Sequence, residues 1–146
     1  MIAKLRLRIS PRVLETVDGE ERWSRVISVI DVNGLFTSRF HLMCAAIVGD
    51  IQHPEGSGAS FLRGIREIET GETRYIAADG NAWIAHITPE VVWFEGLYSQ
   101  GEGGAVTFRQ YKLAVETYVR FLSDPESKPI EVPFPDDPTP AIPDLS

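Results

Sequence analysis

The chain predicts an α+β fold: one domain in which a mainly antiparallel sheet, including a three-stranded meander, packs against helices. Three observations carry this. Residues 5–9, "LRLRI", alternate apolar and basic side chains; residues 73–98 carry three short period-two runs; and residues 37–51 and 107–122 carry apolar stripes at helical spacing. The 146 residues suffice for one sizeable core and are too few for two ordinary domains. The globular domain is placed at residues 1–133, and residues 134–146 are read as an extended or disordered acidic tail rich in proline.

In chain order, Ala3, Leu5, Leu7 and Ile9 alternate with Lys4, Arg6 and Arg8, the period of a half-buried strand, with Pro11 as its expected end. Residues 18–34 are ambiguous. Asp18 and Glu21 resemble a capping box, and Trp23, Val26, Ile27 and Ile30 share a helical face. Five β-branched residues between Val26 and Val32 favour a strand instead. The capping pattern tips the expectation to helix. Phe40, Met43, Cys44, Ile47, Val48 and Ile51 then form a wide helical stripe behind Thr37 or Ser38 as cap. Phe61, Leu62, Ile65 and Ile68 repeat the pattern, and Gly71 stops it.

From residue 73 the period becomes two. "TRYIAA", "AWIAHIT" and "VVWFEGLY" read as the meander, with "DGN" at 79–81 as its first turn and Pro89 near its second. "SQGEGGA" reads as a flexible loop. Thr107 caps a long helix whose Phe108, Tyr111, Val115, Tyr118, Val119 and Leu122 face the core. Seven of the ten prolines fall after residue 123, so only "IEV" at 130–132 can join a sheet. Truncation after Pro135 is expected to leave the melting temperature nearly unchanged.

The charge distribution limits the partners. Residues 124–146 carry a balance of −5, leaving only −2 for residues 1–123. No basic cluster is large enough to displace counterions from a phosphate backbone, so direct nucleic-acid binding is disfavoured. No apolar run is long enough to span a membrane, and the start lacks the apolar stretch of a signal peptide. Cys44 stands alone, which excludes an intrachain disulfide and suits the cytoplasm.

Candidate chemistry concentrates in "GDIQHPEGSG", residues 49–58, where Asp50, His53 and Glu55 lie near three glycines. These residues match neither HExxH nor a Walker loop, and one cysteine cannot build a CxxC site. "QGEGG" lacks the spacing of a dinucleotide fingerprint, so no metal or cofactor is expected. Ser57 is not in a G-x-S-x-G elbow, Cys44 sits mid-stripe as an inert buried thiol, and His86 alternates with Ala85 and Ile87 as a structural histidine. Trp93 and Phe94, adjacent in one strand, point to opposite faces, so one of them needs a second cover.

"NGLFTSRFHLMCAAIVGDIQHPEGSG", "ITPEVVWFEGLY" and "AVETYVRFLSDPESKPIEV" together resemble the small immunity proteins encoded beside bacterial polymorphic toxins, and most nearly the immunity protein 70 family. The resemblance runs over about residues 1–133. It implies a cytoplasmic, non-enzymatic protein that binds and blocks one cognate toxin domain, and it supplies no catalytic residues. Four carboxylates, a histidine and a tyrosine are the groups expected to meet the toxin domain, the carboxylates suiting a basic cleft: Asp50, His53, Glu55, Glu95, Tyr98 and Glu102. Two other classes stay open: a small enzyme or ligand-binding protein using Asp50, His53 and Glu55, and a scaffold with the aromatic meander as its interface.

Overall fold

The computed structural model describes residues 4–144. Strand β1 (Leu5–Val17) and strand β2 (Glu20–Ile30) form a hairpin, followed by a short 3-10 turn (Ser38–Phe40). Helices α1 (His41–Asp50) and α2 (Gly56–Glu69) come next. Four strands, β3 (Ile76–Asp79), β4 (Trp83–Ile87), β5 (Val91–Gly96) and β6 (Glu102–Thr107), lead into helix α3 (Phe108–Leu122) and strand β7 (Ile130–Phe134). There are two sheets, ordered β2-β1-β7 and β3-β4-β5-β6, with every pairing antiparallel. The α+β class is therefore observed.

Residues 20–30 are a strand, which corrects the helical expectation. Asp18 and Gly19 are not a helix start. Their φ values of 50° and 81° make the two-residue turn that joins antiparallel strands, closed by the pair Val17–Glu20. The β-branched run then pairs along β1, with Ile27 and Val29 buried. Nor does β1 end at Pro11. The register shifts between Ser10 and Val13, and this bulge accommodates a residue that has no N–H to donate to the ladder.

The meander gains a fourth strand. "SQGEGGA" was expected to be loop, yet Glu102–Thr107 pairs with β5. Between the pairs Val92–Val106 and Phe94–Gly103, β6 holds one residue more than β5, and Gly104 sits in that bulge at φ 67°. A Cβ there would also stand 2.7 Å from Leu42 Cβ of α1. The glycines allow β6 to pass close beneath the helix.

The helices follow their stripes. In α1, Met43, Cys44 and Ile47 are buried; in α2, Phe61, Ile65 and Ile68; in α3, Tyr111, Val115, Tyr118 and Val119. Thr107 caps α3 as expected: its Oγ accepts from Gln110 N–H at 3.2 Å, while Gln110 Oε1 accepts from Thr107 N–H at 2.9 Å. Both α1 and α3 touch strands of each sheet, so Leu7, Ile9 and Val29 share one core with Ile87, Val92, Phe94 and Val106. Among the described residues, no helix is long and apolar enough to cross a membrane.

The globular part runs past residue 133. Phe134 is buried in β7, edge-on to Phe40 at 5.3 Å between ring centroids. Residues 135–144 form neither helix nor strand, but their start is anchored. Gln110 Nε2 donates to Pro135 O at 2.8 Å, Arg109 grips the Asp137 carboxylate, and Thr107 Oγ donates to it at 2.7 Å. Arg39 donates to the Asp137 carbonyl. Truncation after Pro135 is therefore expected to lower the melting temperature, contrary to the sequence expectation. The hydrogen bond from Arg109, and after it that from Thr107, holds the Asp137 carboxyl below its ordinary value of 3.8. A depressed folded-state value stabilises above the unfolded-state value and ceases to do so as pH falls through the folded one. Asp137→Asn should melt several degrees below wild type at pH 7, with the gap closing as pH falls below the ordinary carboxylate value of 3.8 and through the lowered folded-state one. Thermal melts of both proteins across that range check this.

Candidate functional site

The connection between α1 and α2 does not assemble its ionisable residues into one centre. Ser57 Oγ accepts from the amides of Gln52 at 2.9 Å and His53 at 3.3 Å, and Gly58 N–H donates to His53 O at 2.9 Å. These bonds close the turn and satisfy backbone groups where the helices meet. His53 and Glu55 are exposed, whereas Asp50 is 4% exposed and turned to the β3–β4 turn. Asp50 is therefore an internal group, which corrects its place among the surface carboxylates.

Asp50 Oδ1 accepts from Ala82 N–H at 2.9 Å. Burial pushes its carboxyl up from the ordinary range, and the amides of Ala82, Trp83 and Asn81 partly offset this. Oδ2 has no hydrogen-bond partner of its own. The turn comes so close that a Cβ on Gly80 would lie 1.9 Å from Asp50 Cγ. The same turn is held from its other side. Ala82 O accepts from Leu97 N–H and from Gln100 Nε2, each at 3.0 Å, while Gln100 Oε1 accepts from Tyr98 N–H. Gly96 N–H donates to Gly101 O at 2.8 Å.

The β5–β6 tip, residues 97–101, is thus fixed to the β3–β4 turn, and that turn is fixed to α1. Its apolar side chains are left outside: Leu97 is 43% exposed and Tyr98 72%. At the root of the tip, Glu95 and Glu102 stand directly opposite each other. Of the residues expected to meet a partner, Glu95, Tyr98 and Glu102 are brought together on this hairpin. His53 and Glu55 lie on a separate connection, just beyond Asp50 in the chain.

A second feature was missed by sequence reasoning. Phe94 enters the main core against Tyr111, and Trp93 turns to the other face of the sheet, where it is buried with Val91 and Ala105. His86 stacks on Trp93 at 4.9 Å and Tyr75 stacks on His86 at 5.9 Å, both nearly parallel. Both imidazole nitrogens are engaged: Nδ1 with Tyr75 Oη at 2.6 Å and Nε2 with Glu95 Oε1 at 2.9 Å. Burial, and then the Glu95 charge, raises the Tyr75 phenol above its ordinary value. His86, Glu95 and Glu102 each bring one donor atom within 4.8 Å of the others. The signal was the meander register. Opposing His86 to Trp93 and Ile84 to Glu95 sets His86 diagonal to Glu95.

Chemically, the row Tyr75–His86–Glu95 orients an imidazole whose two nitrogens are taken up by the Tyr75 hydroxyl and the Glu95 carboxylate. Cys44 lies in the main core, where burial pushes its thiol up to about 12. A further apolar surface lies at the edge strand β2, where Val32, Leu35 and Phe36 are exposed beside a cavity of about 390 Å³ lined by Val26, Val29, Phe36 and Cys44. Comparison with known proteins finds no family model, no curated protein and no solved structure that matches this chain.

Three substitutions test the pinned turn. Asp50→Ala should lower stability by about 1–3 kcal/mol, the cost of stranding buried backbone donors. Gly80→Ala should cost at least as much, because a Cβ there collides with a buried carboxylate. Asp50→Asn keeps an acceptor for Ala82 and should be the mildest of the three. Denaturant unfolding ranks them, and a neutral Gly80→Ala would contradict the packing described.

Proposed function

We propose that this chain is a non-catalytic, cytoplasmic immunity protein that binds one cognate toxin domain and blocks it in a one-to-one complex. The observation that carries this is the β5–β6 tip: a backbone held by Gln100 and Ala82, an exposed Tyr98 and Leu97, and the facing carboxylates Glu95 and Glu102 at its base. A tip already fixed in place loses little conformational freedom on binding, so its contacts are retained as affinity. Tyrosine is among the residues that dominate interface energetics. Paired carboxylates beside it suit a basic cleft, of the kind a toxic nuclease presents to phosphates. His53 and Glu55, following Asp50 at the α1 end that grips the same turn, are proposed as the flank of this surface. The resemblance to immunity protein 70 supplies the class of partner, and the hairpin supplies the surface.

The test expresses the toxin domain encoded beside this gene with and without the protein, then titrates their ratio. Protection should saturate near equimolar amounts. Tyr98→Ala should weaken binding by roughly thirtyfold, the weight of a hot spot of about 2 kcal/mol. Glu95→Lys with Glu102→Lys should slow association and flatten its salt dependence, because that rate is set by screened charge attraction. Protection by a small fraction of the toxin concentration would mean turnover and overturn the proposal.

A further inference from the structure

Glu95 and Glu102 face each other across the β5–β6 ladder, and like charges at opposed positions destabilise an antiparallel pair. Among the described residues, neither carboxylate is paired with a lysine or arginine; the group that meets Glu95 is His86. Their donor atoms converge within 4.8 Å. We infer that His86, Glu95 and Glu102 form a binding site for one divalent transition-metal ion of the zinc class.

Charge and donor chemistry agree on this class. A divalent ion cancels both carboxylates and removes their repulsion. One imidazole among the ligands favours zinc, cobalt, nickel or copper over magnesium and calcium, which take oxygen donors. The imidazole is already oriented for the task. Its Nδ1 is held by Tyr75 Oη at 2.6 Å, its plane lies between Tyr75 and Trp93, and its Nε2 faces the carboxylates. A metal-bound histidine generally has its other nitrogen held in this way, and such a partner tunes affinity through orientation. On binding, the ion takes the Nε2 lone pair while the neutral ring keeps its one proton on Nδ1, which donates to Tyr75 Oη; a doubly protonated ring first gives its Nε2 proton to solvent.

The distances are compatible with such a site. Tetrahedral zinc with bonds of about 2.0–2.1 Å separates its ligands by about 3.3 Å. His86 Nε2 and Glu95 Oε1, 2.9 Å apart, are already that close. Glu102 is exposed and closes the remaining gap by side-chain rotation. Three protein ligands leave at least one position for water or an outside donor.

The inference needs no partner protein and is tested on this chain alone, so it stands or fails separately from the immunity proposal. The experiment titrates untagged protein with Zn²⁺ by calorimetry and with Co²⁺ by visible absorption. Wild type should take up one ion per chain and melt higher when loaded. Glu102→Gln, at an exposed position, should keep the fold and weaken Zn²⁺ binding at least tenfold, and His86→Gln should abolish the Co²⁺ band. Tyr75→Phe should keep the stoichiometry with roughly tenfold weaker affinity, since it removes only the group behind the ligand. His53→Gln should match wild type. No uptake by wild type, or uptake unchanged in Glu102→Gln, would overturn the site even if His86→Gln failed to fold.

Discussion

The buried carboxylate of Asp50 is the constraint on which the β5–β6 end of the molecule depends. An acidic group at a helix C-terminus meets the negative end of the helix dipole, and burial adds a desolvation penalty. The position is tolerable because the β3–β4 turn folds its amides onto that carboxylate, with Ala82 N–H closest. The interaction acts in both directions. The turn satisfies Asp50, and Asp50 fixes the turn so that Ala82 O can receive Leu97 N–H and Gln100 Nε2. An exposed hairpin tip thereby takes its orientation from a helix in the core.

The four-stranded sheet carries different chemistry on its two faces. Trp83, Ala85, Ile87, Val92 and Phe94 lie in the core shared with the helices. The other face holds Tyr75, His86 and Trp93 in a stacked row, with Glu95 hydrogen-bonded to the central His86. Alternation along each strand makes this possible, because neighbouring residues of one strand serve opposite faces. The bulge at Gly104 adds one residue to β6 between the pairs Val92–Val106 and Phe94–Gly103. Glu102 is thereby set opposite Glu95, and two carboxylates come to share one spot on the surface.

The C-terminal segment shows how proline can restrict regular structure without preventing attachment. Pro133 and Pro135 flank Phe134, which still pairs with Leu5 and buries its ring against Phe40. Beyond it, attachment passes to side chains: Arg109 and Thr107 hold Asp137, and Arg39 reaches its carbonyl. Charge-assisted hydrogen bonds replace the ladder that proline cannot continue.

Local pattern by itself determined the elements whose period and cap agree. These are α3 with its Thr107–Gln110 box, the stripes of α1 and α2, and the alternating strands β3, β4 and β5. It also brought Glu95 and Glu102 forward as carboxylates suited to a basic partner, and Tyr98 as an aromatic of the meander. Two local signals competed over residues 18–32, and pairing with β1 decided for strand, a contact between segments that neither residue pattern contains. The glycines of 101–104 read as loop because their conformational freedom hides a bulged strand. Asp50 looked like a surface acid among polar neighbours, and only the approach of Gly80, which has no side chain to obstruct it, buries that carboxylate. The cluster of His86, Glu95 and Glu102 exists only through strand register, which brings residues 86, 95 and 102 together from three separate strands. Tertiary structure decided these because cross-strand register and close backbone approach arise between segments, whereas period and capping arise within one.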